Sequence, residues 1–230
     1  MKKIGFIDYY LDEWHANNYP RMIAEASNGS MAVTGAFGLI DSPIGGRTTE
    51  TWCREMNIPR FETIEALIAD SDALIVLSPD NCEMHEQLCR LPLASGKPTY
   101  VDKTFAPDKA TAVRLFELAK QYGTPVYSTS SLRFADELAP YRESREGAIS
   151  CMTVGCFTFD IYAIHIFEMM CTIMKRGAKR MMCVQSGRNR NILVDYGNGR
   201  SASFLQMHTD DPYGVPFITS AEMPDGSAHY

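Results

Sequence analysis

The chain has no long uninterrupted apolar run, no basic cluster, no acidic tail and no CxxC pair. Its longest apolar stretch, Ile161 to Met174, is too short to cross a bilayer and carries His165 and Glu168, so it reads as a buried helix and no membrane partner is expected. The N-terminal MKKIGFIDYY begins with lysines, but Asp8 interrupts the apolar residues, which argues against a signal peptide. The net charge of −6 is spread along the chain, so no surface is prepared for nucleic acid phosphates. Seven cysteines, an odd set without disulfide or metal spacing, fit a reduced cytoplasmic location and buried apolar roles. Glycine is also missing from the first loop, Asp8-Tyr9-Tyr10-Leu11-Asp12-Glu13.

What is present is enough apolar residue, 45% of 230 positions, to fill real cores. Strand-like runs at Ile4–Asp8, Met31–Phe37, Ala73–Leu77, Pro98–Val101 and Pro125–Ser128 alternate with helical patterns at Trp14–Ser27, Thr48–Met56, Thr63–Ala69, Glu83–Ala94 and Pro107–Tyr122. The run ALIVL at 73–77 is apolar throughout, as a parallel strand covered on both faces should be. The alternation predicts an α/β fold, a Rossmann-like doubly wound parallel sheet, over residues 1–130. After Ser131 the rhythm becomes α+β: a helix at Phe134–Glu143, a strand at Ile149–Phe159, the apolar helix, then strands at Arg180–Ser186, Asn191–Tyr196 and Ser201–Met207. Asp195-Tyr196-Gly197-Asn198-Gly199 reads as a hairpin turn, and residues 131–230 as a second, smaller α+β domain facing substrate or a second subunit.

In an open parallel sheet ligands sit beyond the carboxyl ends of the strands, which singles out Asp8, Tyr9, Tyr10, Asp41, Ser78, Pro79, Asp80, Asp102 and the Thr129–Arg133 segment. Lys103, beside Asp102, can polarise a carbonyl or move a proton, although a solvated loop lysine is the plainer reading. His165 has Tyr162 three residues before it and Glu168 three after, all on one helical face. It reads as a general acid/base or as a core histidine satisfied by Glu168 or a backbone carbonyl; Asp160 lies on another face, where a helix cap suits it.

From Asn57 through Arg133 the chain resembles the Gfo/Idh/MocA family of NAD(P)-dependent oxidoreductases. The likeness is carried by IPRFETIEALIADSDALIVLSP, a helix bearing His85, the Gly96-Lys97 turn, Asp102-Lys103-Thr104 in place of Glu-Lys-Pro, DKATAVRLFELAKQYGTPV and Leu132-Arg133-Phe134. A weaker match around His165 extends it over most of residues 3–200. The resemblance implies hydride transfer between a nicotinamide cofactor and a sugar, cyclitol or related polyol. Lys103 and His165 would then be catalytic, Arg133 and Tyr162 would line the substrate pocket with them, and Asp8, Tyr9, Tyr10, Asp41, Ser78, Pro79, Asp80, His85 and Asp102 would face the cofactor.

Three departures stand against that expectation. The glycine-free first loop would crowd a pyrophosphate, and its three carboxylates would repel one by roughly a kcal/mol or more each. Asp-Lys-Thr shortens the carboxylate and frees the backbone after the lysine, and the second domain is reduced, which bears on the homodimer face the family would use. Asp41 and Arg47 leave NAD and NADP both open. The alternative function is a non-catalytic relative that binds a carbohydrate-like ligand or regulates without nicotinamide; a third reading has Asp8, Asp12 and His15 holding a metal, although their spacing matches no ligand signature.

Overall fold

The computed structural model describes residues 1–156, 158–207 and 217–229, arranged as two compact units, Met1–Ser128 and Thr129–Tyr230. In the first unit the elements run β1 (Lys2–Asp8), α1 (Trp14–Ala26), β2 (Met31–Gly38), α2 (Thr49–Met56), α3 (Ile64–Asp70), β3 (Ala73–Val76), α4 (His85–Ala94), β4 (Thr99–Val101), α5 (Lys109–Tyr122) and β5 (Val126–Tyr127). The strands form one parallel sheet in the order β2-β1-β3-β4-β5.

Its five strands fall on the five runs named from the sequence. The crossover from β2 to β3 spends its residues on α2 and α3, and its only extended contact is a single parallel bridge between Ala36 and Arg60. Local chemistry fixes the helix ends. The Asp108 carboxylate accepts the Thr111 N–H at the start of α5, and Gly123 closes that helix with φ +65°, a conformation only glycine adopts without strain. Strand β1 divides its side chains between two cores: Ile4 and Phe6 join Leu11, Trp52 and Ile58, while Ile7 joins Leu67, Leu74, Val76 and Leu115. Gly5 is required by close packing, since a Cβ there would lie 2.5 Å from Ser71 Oγ on the neighbouring turn.

The second unit begins with 3-10 turns at Ser131–Phe134 and Asp136–Leu138, followed by α6 (Ala139–Glu143), β6 (Ser150–Cys156), α7 (Phe159–Met174), β7 (Arg180–Ser186), β8 (Asn189–Gly197), β9 (Arg200–Met207), β10 (Ile218–Glu222) and β11 (Ala228–His229). The sheet order is β11-β10-β6-β9-β8-β7, with β6 and β9 parallel and the other pairs antiparallel. The expected helix at 134–143 is thus α-helical only in its second half and 3-10 in its first, with a break at Ala135; Pro140, which has no N–H to donate, sits in the first turn of a short α6. The strand expected to reach Phe159 stops by Cys156, and Phe159 opens α7; Phe157 lies outside the described residues. Thr158, not Asp160, holds the cap position of α7.

Helix α7 covers one face of the sheet. Ile166, Met170, Ile173 and Met174 pack with Ile192, Val194, Ala202 and Phe204, and the Phe167 and Phe204 rings stack 4.8 Å apart. The β8–β9 hairpin turns through Asn198 and Gly199, both at positive φ, with a register shift at Gly197. In cross-strand register on the face away from α7, Met182, Leu193 and Met152 are exposed. The Asp-, Pro- and Gly-rich end of the sequence contributes β10 and β11, and its segment 209–216 lies outside the described residues. Among the described residues no helix is long and apolar enough to cross a membrane.

Candidate functional site

The carboxyl ends of β1, β3 and β4 meet at one edge of the first sheet. Leaving β1, Asp8 is buried, and Ser78, held at φ +69° after β3, donates its hydroxyl to Asp8 Oδ1 at 2.9 Å while accepting the Tyr9 N–H at 2.9 Å. Asp8 Oδ2 is buried with no hydrogen-bond partner among the described residues. Burial above all, and then the charge of Glu13, pushes the Asp8 carboxyl well above the usual carboxylate range.

Asp12 is met by Arg47 through Nε at 2.8 Å and through a second guanidinium nitrogen. Asn17 ties that pair down, accepting from Arg47 at 2.9 Å and from the Trp52 indole at 2.7 Å. The Arg47 bond lowers the Asp12 carboxyl. Glu13 turns back onto its own helix, where its carboxylate caps α1 by accepting the N–H groups of His15 at 2.7 Å and of Ala16. Burial raises the Glu13 carboxyl against the pull of His15 and these two amides. Beneath the loop Tyr10 and Leu11 are buried, and the Tyr10 hydroxyl is raised by burial first and then by Asp80, Asp8 and Glu13.

The loop after β4 is built differently. Asp102 is fully buried; its Oδ1 accepts the Lys103 N–H at 2.8 Å and the Tyr100 hydroxyl at 3.2 Å, while Oδ2 lies 2.8 Å from His15 Nδ1. That last approach is close but is not an aligned hydrogen bond. Burial alone would raise the Asp102 carboxyl, but His15, the Lys103 N–H and the Lys103 charge together hold it below its ordinary value. Lys103 is 8% exposed, and among the described residues its ammonium has no hydrogen-bond or ion-pair partner. A mostly buried cation without a protein partner is costly to keep. Trp14, 60% exposed, stands with its ring centroid 5.3 Å from that of His15.

The remaining residues expected at this edge serve the scaffold or the surface. Asp41 accepts the Thr49 N–H at 2.7 Å and fixes the start of α2. His85 is fully buried between the carbonyl oxygens of Phe105, at 3.0 Å, and Leu77, so neither ring nitrogen is left for a cofactor. Pro79 is half-buried and Asp80 exposed. Asp8, Asp12 and His15 each have a different partner, Ser78, Arg47 and Asp102, and among the described residues no group of three or more His, Cys, Asp or Glu side chains could hold a metal.

In the second unit His165 Nδ1 lies 2.6 Å from Ser130 Oγ. That hydroxyl also accepts the Leu132 N–H at 3.1 Å, which fixes the position of the serine beside the imidazole. Glu168, expected to orient His165, takes Arg133 Nε at 2.6 Å and the Ser130 N–H at 3.2 Å. The Tyr162 ring is 5.6 Å from the His165 ring. Ser130 falls in the Thr129–Arg133 segment singled out from the sequence, but its contact with His165 joins positions 35 residues apart, and no local pattern announces it.

A dinucleotide pyrophosphate needs free amides and space at the start of α1. Glu13 has taken two of those amides. A phosphate charge near 4 Å from an ionised Glu13 would be repelled by about 4 kcal/mol at a surface-like dielectric, more than the roughly 1–2 kcal/mol a helix terminus offers an anion. A neutral Glu13 would still occupy the amides. The residues present do not fit the pyrophosphate of NAD or NADP.

The chain matches no protein-family profile and no curated protein. It does match solved structures in fold. A probable dehydrogenase from Thermotoga maritima superposes with a TM-score of 0.78 at 13% identity, over 99% of this chain and 75% of that one. GenD2 from gentamicin A biosynthesis, in complex with NAD, gives 0.75 at 11% identity over 100% and 72%. UDP-N-acetylglucosamine 3-dehydrogenase GnnA from Acidithiobacillus ferrooxidans gives 0.73 at 15% over 97% and 74%. The likeness to Gfo/Idh/MocA-type dehydrogenases therefore holds as a likeness of fold.

Proposed function

We propose that this chain is a carbohydrate-handling protein built on an oxidoreductase fold, binding a sugar, cyclitol or related polyol at the carboxyl edge of its first sheet without holding a nicotinamide dinucleotide. The observation that carries this reading is the Glu13 carboxylate seated on the N-terminus of α1. The unpartnered Lys103 ammonium supplies donors for ligand hydroxyls, and the exposed Trp14 ring offers an apolar platform for the C–H face of a sugar ring. The sugar-nucleotide dehydrogenase among the proteins of the same fold supports this ligand class.

A second reading is favoured by the same relatives, one of which was solved with NAD: an NAD(P)-dependent oxidoreductase acting on a polyol. In it Lys103 and His165 would be the catalytic pair, and Arg133, Asp102 and Tyr162 would line the pocket. Isothermal titration separates the two. The first reading expects no heat and no fluorescence change with NADH or NADPH at millimolar concentration, together with saturable binding in a panel of sugars and cyclitols that is weakened in Lys103→Met. Saturable binding of either nucleotide would replace it with the second.

A further inference from the structure

Asp102 and His15 come from opposite ends of the first unit and meet at 2.8 Å, Oδ2 to Nδ1. The carboxylate cannot swing away cheaply, because its other oxygen is held by the Lys103 N–H and the Tyr100 hydroxyl. His15 Nδ1 is buried with no aligned hydrogen bond, while the side chain as a whole keeps 15% exposure. The Nδ1 edge of the ring faces the buried carboxylate, so Nε2 is the nitrogen that Asp102 does not engage and the one that can act as the basic site. The next residue after Asp102 is the unpartnered, mostly buried Lys103. Base, orienting carboxylate and cation thus lie at one sheet edge, and neither the scaffold role of Glu13 nor ligand binding alone requires the His15–Asp102 contact.

We infer that His15 Nε2 is the general base of a redox-neutral proton transfer on the α-hydroxycarbonyl form of a sugar-like ligand, with Asp102 positioning the imidazole and Lys103 meeting the carbonyl oxygen. The base removes the proton from the carbon bearing the hydroxyl. The C–H electron pair becomes a C–C double bond, and the carbonyl π pair moves onto oxygen, where the ammonium stabilises the developing charge. Return of a proton to the same carbon restores the carbonyl, giving solvent exchange and, from the opposite face, the epimer. No electrons leave the ligand and no co-reactant is consumed, so the step is compatible with the missing pyrophosphate cradle.

This inference rests on the reading that a sugar-like ligand binds at this edge. Dihydroxyacetone, D-glyceraldehyde, D-ribulose and D-fructose, each incubated with the protein in D2O, are followed by proton NMR, with binding measured in parallel by calorimetry. Loss of the α-proton signal above the protein-free rate is expected for at least one of them. His15→Gln should reduce that exchange at least about 100-fold with binding and the thermal melt retained. Asp102→Asn should lower the rate and change its pH profile, because the amide favours the other imidazole tautomer. The groups facing His15 that shape this profile are Glu13, 3.7 Å away in the preceding loop, Tyr19 one turn along α1, and Asp102 and Lys103 beyond β4. Binding without exchange, or exchange that survives His15→Gln, overturns the inference and leaves the carbohydrate reading standing. Failure of all four sugars to bind overturns the inference, and failure of the whole panel of sugars and cyclitols overturns the carbohydrate reading with it.

Discussion

The loop after β1 and the loop after β4 leave the same sheet edge, and both carry buried carboxylates. In the first, each acid is answered from within the protein: Asp8 by Ser78, Asp12 by Arg47, Glu13 by the amides of α1. In the second, Asp102 meets a histidine, and among the described residues the neighbouring Lys103 ammonium has no hydrogen-bond or ion-pair partner. A loop whose three carboxylates each have a partner, with Asp8 Oδ2 left over, serves mainly as scaffold, whereas a mostly buried charge left unanswered is expensive to keep unless a ligand uses it.

Asp102→Ala tests that contrast most severely. It removes the buried carboxylate approached by His15, the Tyr100 hydroxyl and the Lys103 N–H and charge, so urea unfolding should show a loss of about 3 kcal/mol. A change within error would mean that Asp102 is not the centre of the second loop. Glu13→Ala removes a helix cap and should cost about 1 kcal/mol without creating NADH binding, because Asp8 and Tyr10 still fill the loop. NADH binding gained by this one substitution would show the cap to be a gate instead.

Arg47→Ala should cost about 1 kcal/mol, since the pair is only partly shielded from solvent. Because its partner Asp12 has a lowered carboxyl, that loss should be present at neutral pH and fade as the acid titrates near and below 3.8, the ordinary aspartate value. The smallest effect has the opposite sign. The raised Asp8 carboxyl contributes stability that is full below about pH 3.8 and lost as pH rises through its folded-state value. Asp8→Asn, which keeps a group for Ser78 to bond, should therefore raise the melting temperature at pH 8, with the gain shrinking toward pH 4. A gain independent of pH would assign the effect to packing.

Much of the first sheet was legible because its strands are short apolar runs bounded by turn residues, and its helices carry their own caps at Thr48, Thr63 and Asp108. Pro140 cut short an apparent helix in the second unit, and β10 and β11 were missed because Ile218–Glu222 and Ala228–His229 are brief and mostly polar, without the alternation that marks a half-buried strand. In the candidate site, the lysine and its aspartate could be found from their place after a buried strand. The role of His15 could not, since it depends on Asp102 across most of the first unit.

The sequence by itself determined the alternation of strand and helix, the missing glycines of the first loop and the presence of Lys103 at the end of a buried strand. These are local properties, written in periodicity and in residues a few positions apart. Only the tertiary structure decided where the charges went: Asp12 to Arg47, Glu13 to the start of α1, His15 to Asp102 and Ser130 to His165. Whether a carboxylate repels a ligand, caps a helix or orients a base depends on which partner folding brings within about 3 Å. Apart from the Glu13 cap, those partners were distant in the chain.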